Sequence, residues 1–163
     1  MGNVKNYDGG AYTALPLLGE RRKTVYTIKK AAQIVDELRI EDEHGGPDLE
    51  LYINVYVDDI LADFEDLRAR IGKAQSDLKA LKASKEADPT QIGVMLNSLN
   101  DATYALFELI FGKEQTDQIV SYYNNRVLTM LADFLPYFTG VILPEIKKAQ
   151  ADLADKYKSW NAR

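Results

Sequence analysis

With 163 residues, 46% apolar and 28% charged, the chain has the proportions of an ordinary globular protein and room for one domain, beside which a second would have to be very small. A formal net charge of −5 argues against a general nucleic-acid or anionic-membrane binder, which needs a basic field to neutralise phosphates. The absence of cysteine excludes disulfides, thiolate metal sites and thiol nucleophiles together.

Met1 to Leu18 has no basic start followed by an apolar run, so it does not read as a secretory signal. Met1 to Asn6 approaches a myristoylation pattern but carries Asn6 where Ser or Thr is wanted. Residues 1–22, glycine-rich and without a sustained period, read as an irregular arm. Its apolar centre, Tyr12 to Leu18, is expected to pack on its own domain or on a partner. The cluster Arg21-Arg22-Lys23 reads as a solvated turn.

Residues 23–163 read as a single, mostly helical domain. Val25, Ile28, Ala32, Val35 and Leu38 recur at helical spacing and predict a short helix over 25–38, although Val25 to Ile28 could equally open as a strand. His44-Gly45-Gly46-Pro47-Asp48 breaks the chain. Strict alternation from Leu49 to Val57 then predicts a strand near 49–57. One strand cannot stand alone; its partner is either Leu38 to Glu41 folded back as a hairpin or a second copy of the chain.

Asp58 or Asp59 offers an N-cap for a helix near 59–84, whose stripe is Ile60, Phe64, Leu67, Ile71, Ala74, Leu78 and Leu81. Asp88-Pro89 opens a helix near 89–111, with Ile92, Leu96, Leu99, Thr103, Leu106 and Ile110 inward and Gly112 as a left-handed cap. A short helix near 114–123 ends at Asn124-Asn125, and a long helical pattern near 126–160 contains Pro136 and Pro144, which should kink or divide it. The apolar stretch Val127 to Leu143 raises the membrane question, but a mid-span Asp such as Asp133 costs about 2.5–3.5 kcal/mol on insertion scales. A buried core helix is the better reading. The fold class is therefore mostly α, a helical bundle of long amphipathic helices with a small N-terminal β-hairpin or strand.

Chemistry is sparse. His44, the one histidine, reads as an exposed turn residue. Gly72-Lys73 and Gly112-Lys113 lack the preceding glycine of a phosphate loop. Asp59, Asp63 and Asp66 share one helix face and could be half of a magnesium site of a helical nucleotide pyrophosphohydrolase, but Asp101 and Glu108 do not supply the other half. Acidic residues at a helix start are favoured by the macrodipole alone. Glu41-Asp42-Glu43 lacks the spaced ligands of a calcium loop. We expect no catalytic, cofactor-binding or metal-binding residues, and not an enzyme.

After Pro144 the composition changes. Charged residues cover most of the surface while Ile146, Ala149, Leu153, Tyr157 and Trp160 keep one narrow stripe, which suits a single seam. Tryptophan is enriched at binding hot spots. Ile146, Leu153, Tyr157 and Trp160, with Phe138, are the candidate partner-binding residues, on a segment expected to project from the bundle.

From Leu49 to Trp160 the order of parts resembles the tail assembly chaperones of long-tailed, non-contractile phages of Gram-positive bacteria. The features concerned are the strand entering an acidic helix start, Tyr52 to Phe64; the helix ending in Leu109-Ile110-Phe111-Gly112; and the charged last helix closing with Ala154-Asp155-Lys156-Tyr157. The first 48 residues depart from that pattern. The resemblance implies a protein of the bacterial host's cytoplasm that coats the tape measure protein until tail tube protein polymerises around it. It also implies a homo-oligomer without nucleic-acid or membrane partners. The alternative is a structural or oligomeric interaction protein of a phage tail or head–tail connector.

Overall fold

The computed structural model describes residues 25–28, 32–84, 86 and 88–161. The N-terminal arm 1–22 and its apolar centre lie outside the described residues. By its contacts the chain divides into two units, Met1–Lys30 and Ala31–Arg163. Within the first, residues 25–28 carry neither helix nor strand.

The second unit is mostly helical and begins with a β-hairpin, β1 (Gln33–Ile40) and β2 (Leu49–Tyr56), paired antiparallel from Ile40↔Leu49 at the turn to Gln33↔Tyr56. This corrects the expected helix over 25–38. Ile34 is buried and Leu38 and Ile40 are half-buried on one face, while Val35, Glu37 and Arg39 face outward; period two governs, and the partner strand outweighs the helical spacing. The hairpin expected at Leu38 to Glu41 is present and longer than anticipated. At the turn, Asp42 accepts from the His44 N–H at 2.9 Å, and Gly45 takes a positive φ of 81°. Inside, Leu51 and Ile53 are fully buried, because a two-stranded ribbon needs a helical layer against one face.

β2 runs without a loop into α1 (Val57–Ala83), and the Val57 N–H donates to the Ala32 carbonyl at 2.8 Å. Neither Asp58 nor Asp59 is the N-cap; Tyr56 is, without a side-chain bond, and the two carboxylates lie in the first turn, where they meet the positive end of the dipole. The buried face is Val57, Ile60, Phe64, Leu67, Ile71, Ala74 and Leu78, as the spacing predicts.

α2 (Pro89–Tyr122) starts at Asp88, whose carboxylate accepts from the Thr90 N–H at 2.9 Å. At Gly112 φ is 78° and ψ is 164°, so the helix breaks there and resumes at once. The sequence places this break correctly, but the glycine is extended with positive φ and is not a left-handed cap. Asn124 and Asn125 then take φ of 52° and 62°, a left-handed turn that asparagine tolerates better than most residues.

The rest is one helical run: α3 (Val127–Tyr137), a π-turn at Phe138–Ile142, and α4 (Leu143–Asn161). Phe134, Phe138, Ile142 and Ile146 are all buried at four-residue steps. In an uninterrupted α-helix three such steps would swing the apolar face by about 120°. The wide turn, closed by the Leu143 N–H on the Phe138 carbonyl, holds about one extra residue and turns the face back toward the core. It also loosens the carbonyls that the Pro144 ring would otherwise meet. The kink or division expected at Pro136 and Pro144 is thus resolved as a π-turn between two prolines. At the centre of the core Phe107 packs edge-on against Phe134 and Phe138, with centroids 4.9 and 5.2 Å away.

The run Val127–Asn161 is long and apolar enough, by length and composition, to cross a membrane. Its apolar side is the bundle's own core: Val127, Met130, Leu131, Phe134, Phe138, Ile142 and Ile146 are buried. Its last third is covered by charge.

Candidate partner-binding surface

α4 changes character along its length. Leu143 and Ile146 pack into the core and Ala149 is half-buried, whereas every residue from Gln150 to Asn161 is exposed. The five candidate residues therefore separate. Phe138 (3% exposed) and Ile146 (0%) are core residues and cannot meet a partner, which corrects their assignment; the stripe spacing alone could not show where the bundle ends. Leu153 (47%), Tyr157 (63%) and Trp160 (80%) stand in solvent on one side of the projecting end. They continue the face that Ile142 and Ile146 bury, past the point where the bundle has anything to place against it.

A second apolar surface escaped the sequence reading. An open groove of about 450 Å³ runs between the later half of α1 and the length of α3, with Leu99 of α2 at its floor and Leu78, Leu128, Leu131 and Leu135 along its walls. Lys79 and Lys82 rim it on the α1 side. Leu128 and Leu135 are exposed although apolar. Their spacing of seven was visible in sequence, but it lay beside the buried stripe and was absorbed into one core helix.

The residues weighed for chemistry are dispersed. His44 is exposed in the hairpin turn. Asp59, Asp63 and Asp66 are exposed on α1, and Asp66 lies 3.9 Å from Arg70 in an ion pair. Among the described residues no group of three His, Asp or Glu side chains is placed to hold a metal ion.

The perturbed groups are structural in their surroundings. Burial, then a 2.7 Å hydrogen bond to Asp36, holds the Tyr137 phenol well above its ordinary value, and this bond ties α3 to β1. Tyr123 is raised in the same way by burial and by Asp133 at 2.9 Å. Arg39 holds the Asp48 carboxyl below the usual range, chiefly by their hydrogen bond across the hairpin loop. The Tyr122 hydroxyl is buried without a partner among the described residues, and burial pushes its phenol up.

The described residues thus carry an exposed apolar stripe at the end of α4 and an open apolar groove between α1 and α3. Comparison of the chain with protein-family models, curated proteins and solved structures finds no match.

Proposed function

We propose that this protein is a non-enzymatic assembly factor that binds a helical partner, and specifically a tail assembly chaperone that holds the tape measure protein in the host cytoplasm during phage tail morphogenesis. The observation that carries the binding reading is the unpartnered stripe Leu153, Tyr157 and Trp160 on a helix end that leaves the bundle. Large aromatic residues in that position have the composition of a binding hot spot, and helix-in-groove recognition needs an apolar face with polar flanks and no reacting groups. The phage role rests on the order of parts described above.

Co-expression of the full chain with a tape measure protein tests it. The two should co-purify, and Trp160→Ala with Leu153→Asp should abolish capture while leaving the circular dichroism spectrum intact. Failure of the wild-type chain to bind would overturn the phage role. Retention of the protein in finished particles would instead favour the second reading, a tail or head–tail connector component, for which the same stripe would be a permanent subunit contact.

A further inference from the structure

We infer that the outer edge of β1 accepts a third strand, an extended and basic segment of a partner polypeptide with apolar residues at alternate positions. The hydrogen-bond register shows which backbone groups are available. Ala32 stands opposite Val57 in the continuation of the β1–β2 register, and its carbonyl accepts from the Val57 N–H at 2.8 Å. Directly opposed pairs in an antiparallel ladder alternate between those that exchange hydrogen bonds and those that do not. Ile34, Asp36, Leu38 and Ile40 therefore bond to β2, and Val35, Glu37 and Arg39 turn their N–H and C=O groups outward. β2 obeys the same phase: Tyr52, opposite Glu37, points its backbone away from β1, and there the Gln115 side chain meets both groups. β1 has no such cover. Among the described residues nothing donates to or accepts from the backbone of Val35, Glu37 or Arg39 on that side.

The space beside this edge is open. A cavity of about 310 Å³ is lined by four consecutive residues, Leu38 to Glu41, together with Tyr123, Asp133, Phe134 and Tyr137. Neighbouring strand residues point to opposite faces, so a cavity that touches four in a row runs along the edge and not beneath one face. An added strand lies about 4.8 Å from its neighbour, and every second side chain on it would turn inward over Tyr123, Phe134 and Tyr137. Apolar residues suit that side. Carboxylates border the rest: Glu37, Glu41 and Asp133 carry no ion pair among the described residues, while Arg39 between them is held by Asp48. Basic residues at the intervening positions complement that border. A helical partner would leave the edge unmet, because its own N–H and C=O groups bond internally; only an extended backbone supplies donors and acceptors at the strand spacing.

An end-capped octapeptide of alternating valine and lysine, added to the full-length chain, tests this by amide hydrogen exchange. The amides of Ile34, Asp36, Leu38 and Ile40 should be protected with or without it. Those of Val35, Glu37 and Arg39 should exchange freely in the chain alone and slow as the peptide saturates it. Methylating the peptide's backbone nitrogens at one alternate set of positions should abolish binding, and at the other set should leave it. Glu37→Pro removes an N–H that the hairpin does not use, a place where a strand tolerates proline, and should fold by circular dichroism yet lose the peptide. Glu37→Lys should weaken binding about fivefold, the scale of an exposed ion pair. No saturable slowing at Val35, Glu37 and Arg39 would overturn the proposal. So would equal binding of the two methylated peptides, which would mean charge attraction without strand pairing; this comparison decides the matter even where Glu37→Pro fails to fold. Capture of a helical partner through Leu153, Tyr157 and Trp160 should be unchanged in Glu37→Lys, so the two sites can fail separately.

Discussion

The side-chain amide of Gln115 stands against the backbone of Tyr52 as a neighbouring strand would, with its oxygen accepting from the Tyr52 N–H at 2.8 Å and its nitrogen donating to the Tyr52 carbonyl at 2.7 Å. The same nitrogen also donates to the Phe111 carbonyl at 2.9 Å. An uncovered strand edge is a template for uncontrolled pairing, and self-association through the strand at 49–57 was one expectation from the sequence. Its outer edge is occupied here by a helix side chain. Gln115→Ala should lower stability by about 1–2 kcal/mol, the cost of leaving partly shielded backbone groups unmet. Gln115→Glu should be worse, because a carboxylate cannot donate to either carbonyl. Urea unfolding measures both, and an alanine variant as stable as the parent would mean that water replaces the amide freely.

The packed face of α1 makes a sharper stability prediction. Phe64 is buried at 1% exposure, and Phe64→Ala should cost about 3–5 kcal/mol, the usual range for a buried phenylalanine. Trp160→Ala, although it removes a larger side chain, should fall within about 0.5 kcal/mol, as surface substitutions do. If denaturant midpoints show the two variants equally damaged, the end of α4 is not free.

The stripes and breaks that repeat along one element were readable in sequence. The α1 stripe, the Asp88-Pro89 start, the interruption at Gly112 and the turn at Asn124-Asn125 depend on local chemistry, and local chemistry is what one sequence displays. Residues 33–38 fall in the expected helix over 25–38 because Ala32, Val35 and Leu38 fit a 3.6 period as readily as Ile34, Leu38 and Ile40 fit a period of two. Only β2, across a loop, decides between them. Phe138 and Ile146 were placed with the partner-facing stripe for a related reason: one periodicity runs through both the covered and the uncovered part of the last helix. The groove was illegible because its walls come from three helices far apart in sequence.

Tyr137 and Tyr123 give the fold a pH dependence on the alkaline side. Both phenols are held above the ordinary value of 10.0, first by burial and then by a carboxylate that accepts from the protonated hydroxyl. The folded state therefore favours the protonated form. Below pH 10 both states keep the proton and the contribution is complete. As pH rises beyond that, the unfolded chain releases protons that the folded chain retains, and stability falls. Denaturation midpoints should be level from neutral to about pH 10 and decline above it. Tyr137→Phe should start from a lower value, having lost the bond to Asp36, but decline less steeply. A parallel decline in parent and variant would show that Tyr137 does not contribute.

Truncation of the last helix separates its two parts. Leu143 and Ile146 belong to the core and everything from Gln150 onward is exposed, so the boundary between core and projection falls near Ala149. A cut at residue 145, which the change of composition after Pro144 suggests, would remove Ile146 and leave a cavity against the Phe138–Ile142 turn, a loss of about 2–5 kcal/mol. Removing residues 150–163 should leave the melting midpoint close to that of the full chain, because those side chains contribute little buried area. The same deletion removes Leu153, Tyr157 and Trp160 together, and with them the proposed capture of a helical partner. Removing residues 143–163 should instead give a chain that melts earlier and less cooperatively. Circular dichroism melts and light scattering on the two deletions measure this. A 150–163 deletion that is unfolded would assign the projecting end to the core, and one that is folded and still captures the partner would move the contact to another surface.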